Sequence, residues 1–401
     1  MSARAAPLPM LAVAAALALG TAVSLGLARF SYALFLPPMR ADLGWSYLTS
    51  GAMNTVNAAG YLLGALLAPA WLRRLGSRHA FLAGTGATAL LLAAHGAVTG
   101  ETPLFVLRFF TGAVSAVAFV AGGLLAAQLV SAPAPAGRPA AMAGLVLGIY
   151  YGGAGVGIVA SALLVPGLAA RTVDHAWQGA WLGLGVLGLV ATAVIALATR
   201  AFHAPARASA PAGNARGFVW QRFLPALTAY LLFGLGYIGY MTFIVTLLRE
   251  QQLASGLVTA FFAVLGAAVA VSPWIWAGAL QRFRGGESLC LLSALLVVAT
   301  LLPVLGTDPI AVFASGLLFG GVLLSLVAST TALVRHNLAP ADWPAGISLF
   351  TIVFAAGQIV GPSLVGFIAD RSGGLRAGLA CSAGLLALAS LVAWWQKPLD
   401  R

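Results

Sequence analysis

Two arginines stand inside apolar runs of this 401-residue chain, Arg29 in the first run and Arg108 in the fourth. An arginine at bilayer depth costs roughly 2.5–3.5 kcal/mol on insertion scales, so residues of this kind mark function. None of the nine Asp and Glu residues falls at the same depth. The pair therefore predicts a cationic pocket that favours an anionic group brought from outside. A guanidinium fork matches a carboxylate or phosphate with two parallel hydrogen bonds, and the contact strengthens where water is excluded.

Further polar residues recur at helical spacing. Arg108, Thr111 and Ser115 fall at i, i+3 and i+7, and so do Asn54, Asn57 and Tyr61. Tyr230, Tyr237 and Tyr240 share the seventh run, and Gln358 stands in the eleventh. The expected substrate-binding set is Arg29, Tyr32, Asn54, Asn57, Tyr61, Arg108, Tyr237, Tyr240 and Gln358. Arg29 is its main anchor, Arg108 assists, and the others give hydrogen bonds. Each has a structural rival. Arg108 can snorkel to the surface, the asparagines can bridge helices, and the tyrosines can pack. Tyr150 and Tyr151 read equally as path lining or packing, and Trp274 and Trp276 as interfacial belt residues. His79, His95, His175, His203 and His336 are expected near or beyond membrane ends, solvated rather than bound to metal.

The elements that must position these groups follow from composition. The chain is 61% hydrophobic and 7% charged, against about 25% charged in a soluble domain. Apolar runs occupy 10–36, 48–70, 79–98, 103–130, 139–165, 177–199, 223–248, 256–279, 288–306, 309–333, 344–368 and 377–395. Each is close to the ~20 residues that cross a bilayer, and each must be a helix to satisfy its own backbone. The fold expected is an all-α polytopic membrane protein of twelve transmembrane helices in two six-helix bundles. Residues 1–200 form the N-terminal bundle, 201–222 a cytoplasmic linker and 223–401 the C-terminal bundle. The N-terminal run imitates a signal peptide, yet it continues to Leu36 and eleven similar runs follow, so a retained first helix is expected.

The net charge of +12 forms no stripe interleaved with aromatics, which argues against nucleic acid. It is instead sided. With the N-terminus in the cytoplasm, fourteen Lys and Arg lie inside and five outside, with Arg29 and Arg108 between. The positive-inside rule then places both termini in the cytoplasm of a cell with this protein in its inner membrane. Catalytic chemistry finds no footing: there is no HExxH, CxxC, GxSxG or GxxxxGK[ST]. Gly152-Gly-Ala-Gly-Val-Gly157 follows no strand and is explained by close helix packing. No enzyme activity, cofactor or metal is expected. Cys290 and Cys381 both fall in apolar runs and are read as packing residues.

The halves resemble each other locally. Gly26-Leu-Ala-Arg29-Phe-Ser-Tyr32 aligns with Gly234-Leu-Gly-Tyr237-Ile-Gly-Tyr240, and the basic loop Trp71–Arg78 has a counterpart at Gln281–Gly286. Paired repeats are what an alternating-access carrier needs, with its site where they meet.

At this point the chain resembles the major facilitator superfamily. Leu104-Phe-Val-Leu-Arg108-Phe-Phe-Thr-Gly112 is similar to that superfamily's fourth-span motif, whose arginine is associated with substrate or proton coupling. Gly64 through Arg78 resembles its signature gating loop, with Arg74, Gly76 and Arg78 kept and Arg73 at the usual aspartate position. The Gly-rich fifth run resembles the exporter motif without its Gly-Pro pair. A closer resemblance is to the YbfB/YjiJ-type branch, through Gly26, Arg29, Phe30, Tyr32, Leu36, Pro37 and Met39, through Asn57 with Gly60-Tyr61-Leu62, through Gly234 to Phe243, and through Gly357-Gln358-Ile-Val-Gly361-Pro362.

The reading is a secondary active or facilitative transporter of a small solute, an organic anion first, by alternating access. The proton is the candidate co-transported ion, the bilayer is the other partner, and a monomer is expected. Efflux of neutral or lipophilic compounds is the rival within transport. A non-transporting receptor or scaffold is the rival outside it.

Overall fold

The computed structural model describes residues 9–131, 140–170, 173–200 and 219–399. Residues 201–218 of the expected linker lie outside the described residues, as do Arg4, Arg138, Arg171, His203, Arg207, Arg216, Asp400 and Arg401. The described residues contain helices and no strand. An apolar segment in lipid must meet its hydrogen bonds internally, and a helix does so with its own neighbours.

Among the described residues, eleven helices are long and apolar enough to cross a membrane. One of them, Tyr47–His95, is two helices joined at Gly76, whose φ of 75° and ψ of 162° break the helical path. Twelve crossing segments result among the described residues. They are α1 (Met10–Leu43), α2 (47–75), α3 (77–95), α4 (Glu101–Ser131), α5 (Ala140–Ala169) and α6 (Trp177–Ala198). Then come α7 (Leu224–Glu250), α8 (Ser255–Ile275), α9 (Glu287–Leu305), α10 (Pro309–Asn337), α11 (Trp343–Arg371) and α12 (Gly374–Trp394). They correspond to the twelve apolar runs. The first helix runs further than hydropathy implied, through Pro37 and Pro38 to Leu43.

By contacts the chain divides into two compact units. Unit 1 comprises Met1–Phe35 and Ala59–Ala208, and unit 2 comprises Leu36–Ala58 and Ser209–Arg401.

Unit 1 packs around Val13, Leu17, Phe81, Val117, Leu125, Tyr150 and Ile195. Lipid offers no hydrophobic drive between helices, so small residues that let backbones meet do the packing. A Cβ added at Gly153 or Gly157 of α5 would land on the carbonyl oxygen of Ala18 or Ala22 in α1. The stretch Gly152–Gly157 is thus a helix contact, as its apolar setting implied. Gly60 and Gly64 of α2 meet the carbonyls of Phe109 and Ala113 in α4 in the same way.

In unit 2, α11 lies against α7 with Gly357 and Gly361 facing the carbonyls of Leu231 and Leu235. The first turn of α2 belongs to this unit. Its N–H groups at Tyr47 and Leu48 donate to the two carboxylate oxygens of Asp370, at 3.0 and 2.8 Å. Helix N-termini leave such donors unmet, and a carboxylate there also suits the dipole. Two turns further, the Thr55 hydroxyl donates to the carbonyl of Ile359 at 2.6 Å.

Candidate functional site

Within α1, residues Ala22–Phe30 form a nine-residue π-helix that carries Arg29 next to its last position. The wider turn shows in the bond from Ser31 N–H to the Gly26 carbonyl at 3.0 Å. π-Helical segments are rare, and they gather at functional sites because they re-aim side chains. Two side chains address the carbonyls at the end of this one. Ser31 Oγ donates to Leu27 at 2.6 Å, and Arg108 Nη1 donates to Ala28 at 2.8 Å.

Arg108 is fully buried (0% exposed). Its guanidinium carbon lies 4.9 Å from the ring centre of Tyr32 and 5.8 Å from that of Trp181. Trp181 in turn stacks with Phe35 at 3.8 Å and with His95 at 4.6 Å. A cation desolvated among aromatic faces gains about 2 kcal/mol or more from the ring quadrupoles. Arg108 therefore does not snorkel: it braces α4 against the π segment and α6. The expectation for His95 is also overturned. It lies near a helix end, but it is fully buried against Trp181, with Nδ1 2.7 Å from the Leu91 carbonyl. Its flat ring completes an aromatic pile that water does not reach.

Arg29 is buried too, at 4% exposure, yet its surroundings differ. Its guanidinium carbon lies 5.2 Å from the ring centre of Tyr61, which is half-buried. Tyr61 leads to Phe119 at 6.4 Å, and Phe119 to Tyr150 and Tyr151 at 6.1 and 5.8 Å. The Tyr150 hydroxyl donates to the Phe119 carbonyl at 2.6 Å. α1, α2, α4 and α5 thus each bring a cationic or aromatic side chain to one continuous surface. The two carboxylates of unit 1, Glu101 and Asp174, are both exposed. A guanidinium can meet a ring with its face and a carboxylate with its edge.

The remaining expected residues divide between the units. Arg29, Tyr32, Tyr61 and Arg108 come together in unit 1. Asn54, Asn57, Tyr237, Tyr240 and Gln358 are buried in unit 2. Asn54 Nδ2 donates to Thr242 Oγ1 at 2.8 Å. Tyr240 stacks on Phe319 at 3.9 Å, and its hydroxyl pairs with Ser315 Oγ at 2.6 Å. Tyr237 lies in a near-parallel pile with Phe233 and Phe354. In the loop expected from sequence to gate, Arg73 and Arg74 are exposed, and Gly76 makes the turn. Arg78 donates from Nε to the Thr199 carbonyl at 3.0 Å and from Nη2 to the Ala196 carbonyl at 3.1 Å. It thereby caps the negative end of α6. Among the described residues no three His, Cys, Asp or Glu side chains gather as metal ligands.

Sequence reasoning missed Phe119 and Trp181. A signal for Phe119 existed, because it continues the Arg108, Thr111, Ser115 face one further turn. An aromatic ring does not stand out on a face marked by polar residues. Trp181 has no such marker within its apolar run.

Residues 21–394 match the family model described as "Uncharacterised MFS-type transporter YbfB". No curated protein matches the chain by sequence. Among solved structures, the chain is similar to a mutant form of the nucleoside transporter NupG. The TM-score is 0.75 at 12% identity, covering 95% of this chain and 99% of that one. It is also similar to a bacterial homologue of the human lysosomal transporter Spinster. There the TM-score is 0.72 at 16% identity, covering 96% of each chain. At such identities the likeness is one of fold.

Proposed function

Because this chain belongs to the family of the major-facilitator-type transporter YbfB, we propose that the small solute it carries is an organic anion bound through Arg29. It moves the solute by alternating access across the inner membrane, with both termini cytoplasmic, as the sided distribution of basic residues supports. The observation that carries the anionic reading is two guanidinium groups in the interior of unit 1, where both carboxylates are exposed. A buried charge is costly to keep. A cargo of opposite sign adds a charge-assisted hydrogen bond to a guanidinium, a contact that strengthens where water is excluded.

Arg29 and Arg108 divide the work. Arg108 is enclosed by Ala28, Tyr32 and Trp181 and holds the π segment in place. Arg29 borders the half-open aromatic surface and is the group that meets the cargo. The test is a thermal-shift screen of purified protein against monocarboxylates, amino acids, nucleosides and cationic dyes, followed by uptake into proteoliposomes. A true ligand raises the unfolding midpoint by mass action. Carboxylates are expected to do so, with the shift lost in Arg29→Gln. Stabilisation by a nucleoside, the class of solute for which NupG is named a transporter, and not by any carboxylate overturns the reading.

A further inference from the structure

The aromatic surface beside Arg29 narrows the class of cargo, an inference that rests on Arg29 as the anion anchor. Four rings follow one another away from the guanidinium: Tyr61, Phe119, Tyr150 and Tyr151. They come from three helices, and they do not pair face to face. The Tyr61–Phe119 planes meet at 50° and the Phe119–Tyr151 planes at 53°. Tyr150 and Tyr151 meet edge to face at 5.2 Å. Tilted rings leave faces and edges uncovered, and those are the groups another ring packs on. The exposure follows that geometry. Tyr150 is buried and bonded to the Phe119 backbone, while Tyr61 and Phe119 are half-buried and Tyr151 is exposed. Glycines set the rings: a Cβ at Gly122 would fall 2.7 Å from the Tyr150 hydroxyl oxygen, and one at Gly123 would fall 3.6 Å from its ring.

A surface built only to face lipid has no cause to begin at a buried guanidinium. A surface built for an aliphatic acid has no use for four rings in sequence. We propose that the cargo is a planar aromatic carboxylate, its carboxylate on Arg29 and its ring against Tyr61, Phe119 and Tyr151. Tyr150 is a positioning residue, holding the Phe119 segment of α4 through its hydroxyl.

Three probes of similar size separate the parts of this reading: benzoate, cyclohexanecarboxylate and benzamide. Affinity is read on the full-length protein by thermal shift and by competition in proteoliposome uptake. Benzoate is expected to bind about tenfold more tightly than cyclohexanecarboxylate, the size of effect that aromatic pairing supplies. Phe119→Leu is expected to remove that advantage, so that benzoate and the saturated acid bind alike. Tyr151→Leu, at an exposed position that tolerates change, is the second variant should Phe119→Leu fail to fold. Equal binding of the two acids, both lost in Arg29→Gln, overturns the aromatic cargo and leaves the anion anchor standing. Benzamide binding as tightly as benzoate overturns the anchor, and the aromatic acid with it. Failure of both acids to bind also overturns the proposal.

Discussion

Nη1 of Arg108 donates to the carbonyl oxygen of Ala28 at 2.8 Å, one residue before Arg29 on the π-helical segment. One arginine thereby fixes the backbone that presents the other. The two buried guanidinium groups thus have different surroundings, and their replacement is expected to have different consequences.

Arg108→Met leaves the Ala28 carbonyl without that donor in a buried setting, at a cost of about 1–3 kcal/mol. It also removes the cation from the Tyr32 and Trp181 faces. Lysine does not restore a planar fork, so Arg108→Lys is expected to behave like Met. Arg29→Gln is expected to spare the unfolding midpoint and abolish stabilisation by benzoate. Midpoints and ligand shifts measured on the three variants check this. An Arg29→Gln protein as unstable as Arg108→Met would remove the distinction.

Asp370 supplies both oxygens to the first turn of α2, through Tyr47 and Leu48 N–H. The Tyr47 hydroxyl donates to Glu250, and Arg40 lies 3.8 Å from the centre of the Tyr47 ring. Loss of an N-terminal capping oxygen costs about 0.5–2 kcal/mol. Asp370→Ala is expected to speed hydrogen exchange at the amides of Tyr47 and Leu48, while amides in the middle of α7 keep their protection. Asp370→Asn, which retains one carbonyl oxygen, should fall between. Unchanged exchange at residues 47 and 48 in the alanine variant would show that the cap does not hold this turn.

Much of this architecture was legible in the chain. Twelve apolar runs correspond to twelve crossing segments among the described residues, since lipid leaves an apolar backbone few alternatives. The Gly152–Gly157 stripe was legible as packing because no strand precedes it. The π segment was not. Its composition, Ala22 to Phe30, is that of any apolar helix, and the contacts it makes with Arg108 and with α5 join residues far apart in the chain. His95 was misplaced because position along a run does not reveal that α6 lays Trp181 over it. The Asp370 cap joins residues more than 300 positions apart, which no local pattern encodes.

Gly76 has φ 75° and ψ 162°, a backbone region that is essentially glycine's alone. A Cβ there meets no neighbouring atom, so strain is the only penalty. Gly76→Ala is expected to lose about 1–3 kcal/mol in equilibrium unfolding. Wild-type stability in that variant would mean that the loop relaxes into another turn without cost.

Gly153 separates packing from propensity within one helix. A Cβ at this position would land on the Ala18 carbonyl, and overpacking of this kind costs about 1–3 kcal/mol. The clash acts on α1 four residues before the π segment begins, so it also shifts the backbone that carries Arg29. Gly167 lies on the same helix with nothing within 4 Å of an added Cβ. There alanine is expected to be neutral or to gain up to about 1 kcal/mol from helix propensity. Gly153→Ala should therefore lower both the unfolding midpoint and the benzoate shift, while Gly167→Ala should lower neither. Two alanines on α5 with equal effects would mean that the close approach of α5 to α1 carries no weight in either stability or binding.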